Sequence, residues 1–341
     1  MNTADDQRFM QAALALAGRG HGRTSPNPSV GCIIVRDGLV VGRGWTQASG
    51  RPHAEAMALD QAGAAAKEAT AYVTLEPCAH TSPRGPACAD LLIKAGIARV
   101  VVAVEDPDPR TSGSGLARLN AAGITTLVGI GKMQAQEQLQ SYLICQRYKR
   151  PMVTLKLATS LDGYSALASG ESQWITGAIA RDHAHMERSR VDAILIGRGT
   201  LEADNPALDV RLPGLDSRSP VPVVVSAGLT AMPNHSKLAH NPKTILIASR
   251  DPMAILAAFT AKGMVHIMVE GGVTLASAFL QADLVDRLLL YRAPILLGAG
   301  KHLVLDLGLT ALAEAHNQWR QSDTRALGAD RLDIFLRVRE S

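Results

Sequence analysis

Three side chains in the first third of the chain can hold a metal ion: His53, Cys78 and Cys88. One imidazole and two thiolates form a donor set suited to zinc, and three protein ligands leave the fourth position of a catalytic site open to water. Zinc lowers the pKa of such a water to about 7, which makes a nucleophile available at neutral pH. Glu55 stands two residues after His53, where a carboxylate would carry protons rather than bind the metal. His53 and Glu55 could instead be polar positions on an ordinary helix, and the cysteines buried small hydrophobes. The conjunction of His-x-Glu, Pro77-Cys78 and a second thiol, in a chain with only four cysteines, favours one zinc per chain.

A second constellation lies in the other half. Glycines at 197, 199, 271 and 272 let backbone amides approach phosphates closely, and a helix beginning near Thr274 adds its positive end. The dinucleotide fingerprint Gly-x-Gly-x-x-Gly is absent, because Glu202 occupies the third glycine position. Gly197-Arg198-Gly199-Thr200 by itself is equally a tight strand-to-helix turn. Arg181, His185 and Arg188 share one helical face, which is either solvated or built for an anion.

Positioning these groups takes a regular alternation of elements. A helix over 5–17 ends at Gly18, Gly20 and Gly22, and strands over 30–35 and 39–45 flank the hairpin signal Arg36-Asp37-Gly38. A helix over 54–63 sets His53 and Glu55 at its N-terminus, where backbone donors face the metal site. Strand 71–75, helix 89–96, strand 99–104, helix 116–123, strand 125–128 and helix 133–147 follow. This predicts a sheet covered on both faces, with Cys78 just past the C-terminal end of strand 71–75, the edge where open α/β sheets take ligands. Tyr148-Lys149-Arg150-Pro151 breaks the chain near 147–151 without a Gly/Ser linker, so domains are expected at 1–148 and 149–341. The second half is again α/β: strand 152–158, helix 177–190, strands 193–197, 221–226 and 244–248, helix 253–262, strand 265–269, helix 274–282 and strand 287–291.

In this setting Pro26-Asn27-Pro28-Ser29-Val30-Gly31, His53-Ala54-Glu55 and Glu76-Pro77-Cys78-Ala79-His80 resemble the deaminase half of the bifunctional pyrimidine deaminase and reductase of riboflavin biosynthesis. The motifs Lys156-Leu157-Ala158-Thr159-Ser160-Leu161-Asp162-Gly163, Glu171-Ser172-Gln173-Trp174-Ile175-Thr176, Asp204-Asn205-Pro206-Ala207-Leu208 with Arg211, and Glu270-Gly271-Gly272 resemble its reductase half, in order. The resemblance implies a cytidine-deaminase-like three-layer α/β/α domain followed by a dihydrofolate-reductase-like α/β domain. It also implies zinc and NADPH as cofactors, and a phosphorylated pyrimidine substrate that is deaminated and then reduced from ribosyl to ribityl.

On the deaminase side the resemblance implies substrate contacts from Asn27, His80 and Arg84, the last toward the phosphate. On the reductase side it implies Ser172, Arg188, Leu208, Arg211 and Glu270 at the substrate, with Arg188 at its 5-phosphate. Ala158, Trp174, Gly197, Thr200, Asp204, Ser226, Gly272, Val273 and Thr274 fall at the cofactor. Asp204 is the expected catalytic group there, since hydride addition to an open-chain ribose imine leaves a nitrogen that needs a proton. Plainer readings stand beside these: Asn27 and Asp204 as turn residues and Trp174 as core.

The chain also departs from the family pattern. Thr46 replaces a histidine seven residues before His53, Asp108 replaces the asparagine of Asp-Pro-Asn-Pro, Val225 replaces an aspartate before Ser226, and the inter-thiol loop is one residue longer. Thr46 and Asp108 keep open a reductase with a silent deaminase half. A nucleic-acid deaminase, a third possibility, would need aromatic stacking platforms and a basic groove. Aromatics are only 4% and the net charge is +4 with no single-sign tract, so no nucleic-acid partner is expected. The polar, acidic start Met1 to Asp6 does not fit a signal peptide, and no apolar run is long enough to span a membrane. A cytoplasmic protein with free thiols at Cys32 and Cys145 is therefore expected; a homo-oligomer assembled through the reductase domain is a separate expectation, which no residue pattern carries.

Overall fold

The computed structural model of the chain describes residues 3–80 and 84–339. The chain divides after Arg150 into two compact units.

In the first unit, α1 (Thr3–Ala17) leads into β1 (Gly31–Arg36) and β2 (Leu39–Trp45). Asp37 and Gly38, with φ of 51° and 78°, make the two-residue turn between the strands, whose twist matches theirs. Then come α2 (Ala54–Ala62), β3 (Thr70–Val73), α3 (Cys88–Lys94), β4 (Arg99–Val102), α4 (Ser114–Ala121), β5 (Thr125–Val128), α5 (Lys132–Gln138) and α6 (Gln140–Tyr148). The sheet order is β2-β1-β3-β4-β5, antiparallel at β1 and parallel from β3 to β5.

Two glycines show how helices close on both faces. A Cβ at Gly31 would lie 1.9 Å from the Ala13 carbonyl oxygen of α1, and one at Gly44 would lie 2.0 Å from the Ala54 carbonyl oxygen of α2. Gly31 pairs with Trp45 and Gly44 with Cys32, so the two glycines point to opposite faces of the sheet. The helix expected over 133–147 is two helices, α5 and α6, which break at Leu139, a residue buried in the core.

The second unit is built on an eight-stranded sheet. It contains β6 (Met152–Thr159), β7 (Tyr164–Leu167), α7 (Ala178–Arg188), β8 (Ala193–Gly197), α8 (Arg198–Asp204), β9 (Val221–Val225), β10 (Ile245–Ile247), α9 (Pro252–Thr260), β11 (His266–Val269), α10 (Val273–Gln281) and β12 (Arg287–Arg292). After these come β13 (Gly300–His302), β14 (Trp319–Leu327) and β15 (Asp330–Arg337). The order β10-β9-β8-β11-β6-β12-β15-β14 is parallel as far as β12 and antiparallel in the last two strands, while β13 pairs with β7 apart from it. Five of these elements, β7, α8, β13, β14 and β15, are missing from the order expected from sequence. β14 and β15 are rich in charged residues such as Arg320, Asp323, Arg325 and Arg331, so the apolar signal of a strand is weak; their partners, not their composition, make them strands.

Candidate active sites

β3 ends at Val73, and the chain then runs along the C-terminal edge of the sheet to Cys78; α2 and α3 bring His53 and Cys88 to the same place. The Nδ1 and two Sγ donors all lie within 4.8 Å of one another. His53 Nδ1 is 3.3 Å from Cys88 Sγ and 3.7 Å from Cys78 Sγ. Ligands at tetrahedral angles around zinc would stand about 3.6 Å apart for a nitrogen and a sulfur, given the usual bond lengths. The donor set therefore fits a zinc ion in kind and in spacing.

The electrostatics divide the two thiols: the hydrogen bond they share, together with burial, pushes Cys88 up and leaves Cys78 as the ready thiolate. The Cys88 thiol and backbone N–H both donate to Cys78 Sγ and His53 adds its own hydrogen bond; against the upward push of burial, these bring the Cys78 thiol down to about 4. A thiolate, not a thiol, is what binds metal. Glu55, in the first turn of α2, is 3% exposed. Burial pushes its carboxyl up and the Cys78 charge adds to this, while His53 opposes it. A carboxyl that retains its proton more readily than usual suits a group that must both take and return one.

Around these residues lie the predicted substrate contacts. The Asn27 amide nitrogen sits 3.0 Å from His53 Nε2 and donates to the Gly50 carbonyl at 3.2 Å, so Asn27 stands behind a ligand as well as beside the site. His80 meets Thr111 Oγ1 at 3.3 Å, and Arg84 Nη2 donates to the Ser49 carbonyl at 2.7 Å. Part of the inter-thiol loop, 81–83, lies outside the described residues. Two departures from the family pattern have structural employment. Thr46 Oγ1 accepts the Val30 N–H, and Asp108 is gripped by Arg110 through Nε and Nη2.

In the second unit several of the predicted cofactor residues, and Glu270 of the predicted substrate residues, lie along one carboxyl edge. β9, β8, β11 and β6 are successive parallel neighbours; Ser226 follows the first, Gly197 ends the second, Glu270 follows the third, and Ala158 lies near the end of the fourth. Thr200 Oγ1 accepts the Gly272 N–H at 2.9 Å, tying the Gly197 turn to the start of α10. Gly272 is the residue that precedes α10 and offers no side-chain cap, so the first N–H groups of the helix, around Val273 and Thr274, have no acceptor within the helix or from its cap residue. Val225 is buried in the core of this unit, where an ionised aspartate would be costly.

The residues expected at the reductase substrate are arranged differently from a solvated basic face. Arg188 is held by Glu270 and also donates to the Asp209 carbonyl at 3.1 Å. His185 is buried, within 3.1 Å of the same carbonyl, and Arg211 Nη2 lies 3.2 Å from its Nε2. Arg181 donates to the Thr176 carbonyl and lies over the Trp174 ring at 4.8 Å. Trp174 is 65% exposed, which excludes the core reading. Ser172 is half-buried nearby in sequence. The Leu208 side chain lies in a core cluster with Ile194, Ile196 and Leu201, leaving its backbone as the part able to touch a ligand. Asp204 accepts a hydrogen bond from Gln173 Nε2 at 3.3 Å.

One group was not singled out from sequence. Burial pushes the Lys156 ammonium down, while Glu270 and Asp204 act on it from the carboxylate side and Arg188 against it. Its motif was legible but its role was not, since a lone lysine in a strand gives no signal until the neighbouring strands bring carboxylates to it.

A zinc-type deaminase unit followed by a reductase unit with a dinucleotide edge defines a two-activity enzyme. Residues 3–104 match the cytidine and deoxycytidylate deaminase zinc-binding region, and residues 151–332 match the RibD C-terminal domain. The riboflavin biosynthesis protein RibD of Escherichia coli is 41% identical over 95% of this chain and 97% of its own length; that of Aquifex aeolicus is 37% identical over 97% and 98%. Among solved structures, Acinetobacter baumannii RibD superposes with a TM-score of 0.90 at 36% identity, covering 99% of this chain and 100% of that one. A diaminohydroxyphosphoribosylaminopyrimidine deaminase and uracil reductase from Thermotoga maritima gives a TM-score of 0.90 at 29% identity over 98% and 99%. The chain belongs to the RibD family, the bifunctional deaminase and reductase of riboflavin biosynthesis, with a zinc-binding deaminase half and an NADPH-dependent reductase half. Neither the silent-deaminase nor the nucleic-acid alternative finds support among these relatives. No described helix is long and apolar enough to cross a membrane.

Proposed function

We propose that residues 1–148 deaminate 2,5-diamino-6-(5-phosphoribosylamino)pyrimidin-4-one by hydrolysis, and that residues 149–341 then reduce its ribosyl side chain to ribityl with NADPH, giving 5-amino-6-(5-phosphoribitylamino)uracil. The observation that carries the first step is the buried Glu55 beside a three-donor cluster with the spacing of a zinc site. Bound zinc supplies the Lewis acidity that makes a water nucleophilic near neutral pH. Glu55 takes the proton of the attacking water and returns it to the departing amino nitrogen, a use to which its raised affinity for protons is suited. Asn27 and His80 hold the ring and Arg84 the phosphate.

In the second unit, NADPH supplies the hydride. Gly197, Thr200, Ser226, Gly272, Val273 and Thr274 hold its phosphates and ribose along the carboxyl edge, with Ala158 and Trp174 toward the nicotinamide. Ser172, Arg211 and the N–H groups of Arg188 not used by Glu270 and Asp209 hold the substrate phosphate, while the Leu208 backbone and Glu270 line the same side. Asp204 delivers the proton to the nitrogen left by hydride addition, with Lys156 between it and Glu270 in charge if not in contact. The enzyme works in the cytoplasm, a compartment in keeping with its four free cysteines, and assembles as a homo-oligomer through the reductase unit.

The test is to incubate the purified protein with the diaminopyrimidine phosphate, with and without NADPH, and to identify the products by mass. Replacement of one amino group by oxygen without cofactor, then gain of two hydrogens with it, is the expected result. A product that gains hydrogens but keeps both amino groups would leave the first unit silent and the proposal wrong.

A further inference from the structure

Glu76 lies two residues before Cys78 and is buried, yet among the described residues no cation pairs with it. Its carboxylate instead accepts four backbone N–H groups. Asp106 and Gly113 donate to Oε2 at 3.1 and 3.0 Å, and Gly115 and Leu116 donate to Oε1 at 2.9 and 3.1 Å. Gly115 and Leu116 are the second and third residues of α4, a helix whose preceding residue, Gly113, has no side chain to cap it. A distant glutamate thus does the work of an N-cap. Gly115 is shaped to this joint: a Cβ there would lie 2.0 Å from the Pro77 carbonyl oxygen and 3.1 Å from Glu76 Oε1.

Two parts of the deaminase site meet at the joint. On one side is the turn carrying Cys78; on the other is the segment 105–113, whose Thr111 contacts His80. Among the described residues, four N–H donors converge on no other carboxylate in this unit, and here they converge on the residue leading directly into a zinc donor.

We infer that Glu76 is a positioning residue for the metal site: it fastens the Pro77-Cys78 turn to the start of α4, and so holds Cys78 Sγ at the spacing the other two donors require. The inference rests on the zinc reading of His53, Cys78 and Cys88. A glutamine at 76 would direct an amide NH2 at donors that need an acceptor, so the turn would be released from α4 while the three donors stayed chemically intact.

The experiment follows the rate at which the zinc-loaded full-length protein gives up its metal to an excess of a colorimetric chelator. Glu76→Gln and Gly115→Ala should both release zinc about 10- to 100-fold faster than the parent, the size of effect seen when groups supporting metal ligands are lost. Asp6→Asn is the control for stability alone. Asp6 is a buried carboxylate of the same unit bonded to Tyr72 and Arg99, with no zinc donor among its partners, so its loss should lower the melting temperature and leave the release rate unchanged. If Glu76→Gln does not fold, Gly115→Ala against Asp6→Asn decides alone. Release at the parental rate in the folded variants, or equal acceleration in Asp6→Asn, overturns the inference while leaving the zinc site in place. A parent that takes up no zinc overturns the zinc reading itself, and the inference with it.

Discussion

Arg188 of α7 and Glu270, just past β11, meet through two parallel hydrogen bonds, Nε to Oε1 and Nη2 to Oε2, each 2.8 Å. Both side chains are largely buried, at 14% and 7% exposure. Removing one partner of a buried pair leaves an uncompensated charge, which typically costs about 3–5 kcal/mol. Arg188→Met should therefore lower the melting temperature of the second unit and depress reduction, with zinc content unchanged. Calorimetry together with metal analysis checks both halves of that statement.

The same pair makes stability depend on pH. Burial pushes Glu270 up, but Arg188, with help from Lys156, brings its carboxyl down to about 2. That lies below the value of about 4.3 for an unfolded glutamate, so the stabilisation is fully present above about pH 4.3 and is lost as pH falls through about 2. Glu187, held down to about 2 by Arg287 and Arg190 against burial, acts in the same window. Urea unfolding of the parent should weaken steeply over this range, and Arg188→Met should show a shallower slope. An unchanged slope in the variant would assign the acid sensitivity elsewhere.

Cys78→Ser or Cys88→Ser should remove zinc and deaminase activity together, because a three-ligand site has no spare donor. Reduction of the already deaminated substrate should persist in both. Elemental analysis that finds one zinc per chain in either variant would rule out that sulfur as a ligand.

Glu55→Gln should retain zinc and lose about 10²- to 10⁴-fold in deamination rate, the usual contribution of a positioned proton carrier. The amide is nearly the same size, so the helix start at Ala54 should survive. Metal content at the parental level with near-parental turnover would remove Glu55 from the proton path.

Asp204→Asn should depress reduction by a similar factor, about 10² to 10⁴, and leave deamination intact. Only Gln173 reaches its carboxylate through a hydrogen bond among the described residues, so the melting temperature should change little. A folded variant that binds NADPH and reduces at the parental rate would make Asp204 a turn residue.

Much of the deaminase site was open to reading from residue types. Cysteine is scarce in this chain, with only four, and the spacing of two of them and His53 around Glu55 has few other uses, so the three zinc donors could be named before any contact was known. The hairpin at Asp37-Gly38 was legible for a similar reason: its turn geometry is a property of neighbouring residues. On the reductase side the strand end at Gly197 and the helix start next to Thr274 were legible, because glycine turns and helix starts are also local properties.

What the tertiary structure decided depends on residues brought together from far apart. The periodicity of Arg181, His185 and Arg188 placed them on one face but did not reveal that Glu270 would occupy Arg188, or that His185 would be buried against the Asp209 carbonyl. The motif around Leu208 did not reveal that its side chain would complete a core cluster with Ile194 and Ile196, which leaves its backbone for any ligand. β14 and β15 are strands because β12 offers an unpaired edge, and Lys156 acquires a role only when β11 brings Glu270 near it. Glu76 is the same lesson on the other unit: its four donors lie at 106, 113, 115 and 116. Side-chain chemistry and short-range spacing belong to the chain before it folds, whereas the partner that satisfies a buried charge is chosen only when packing removes water from it.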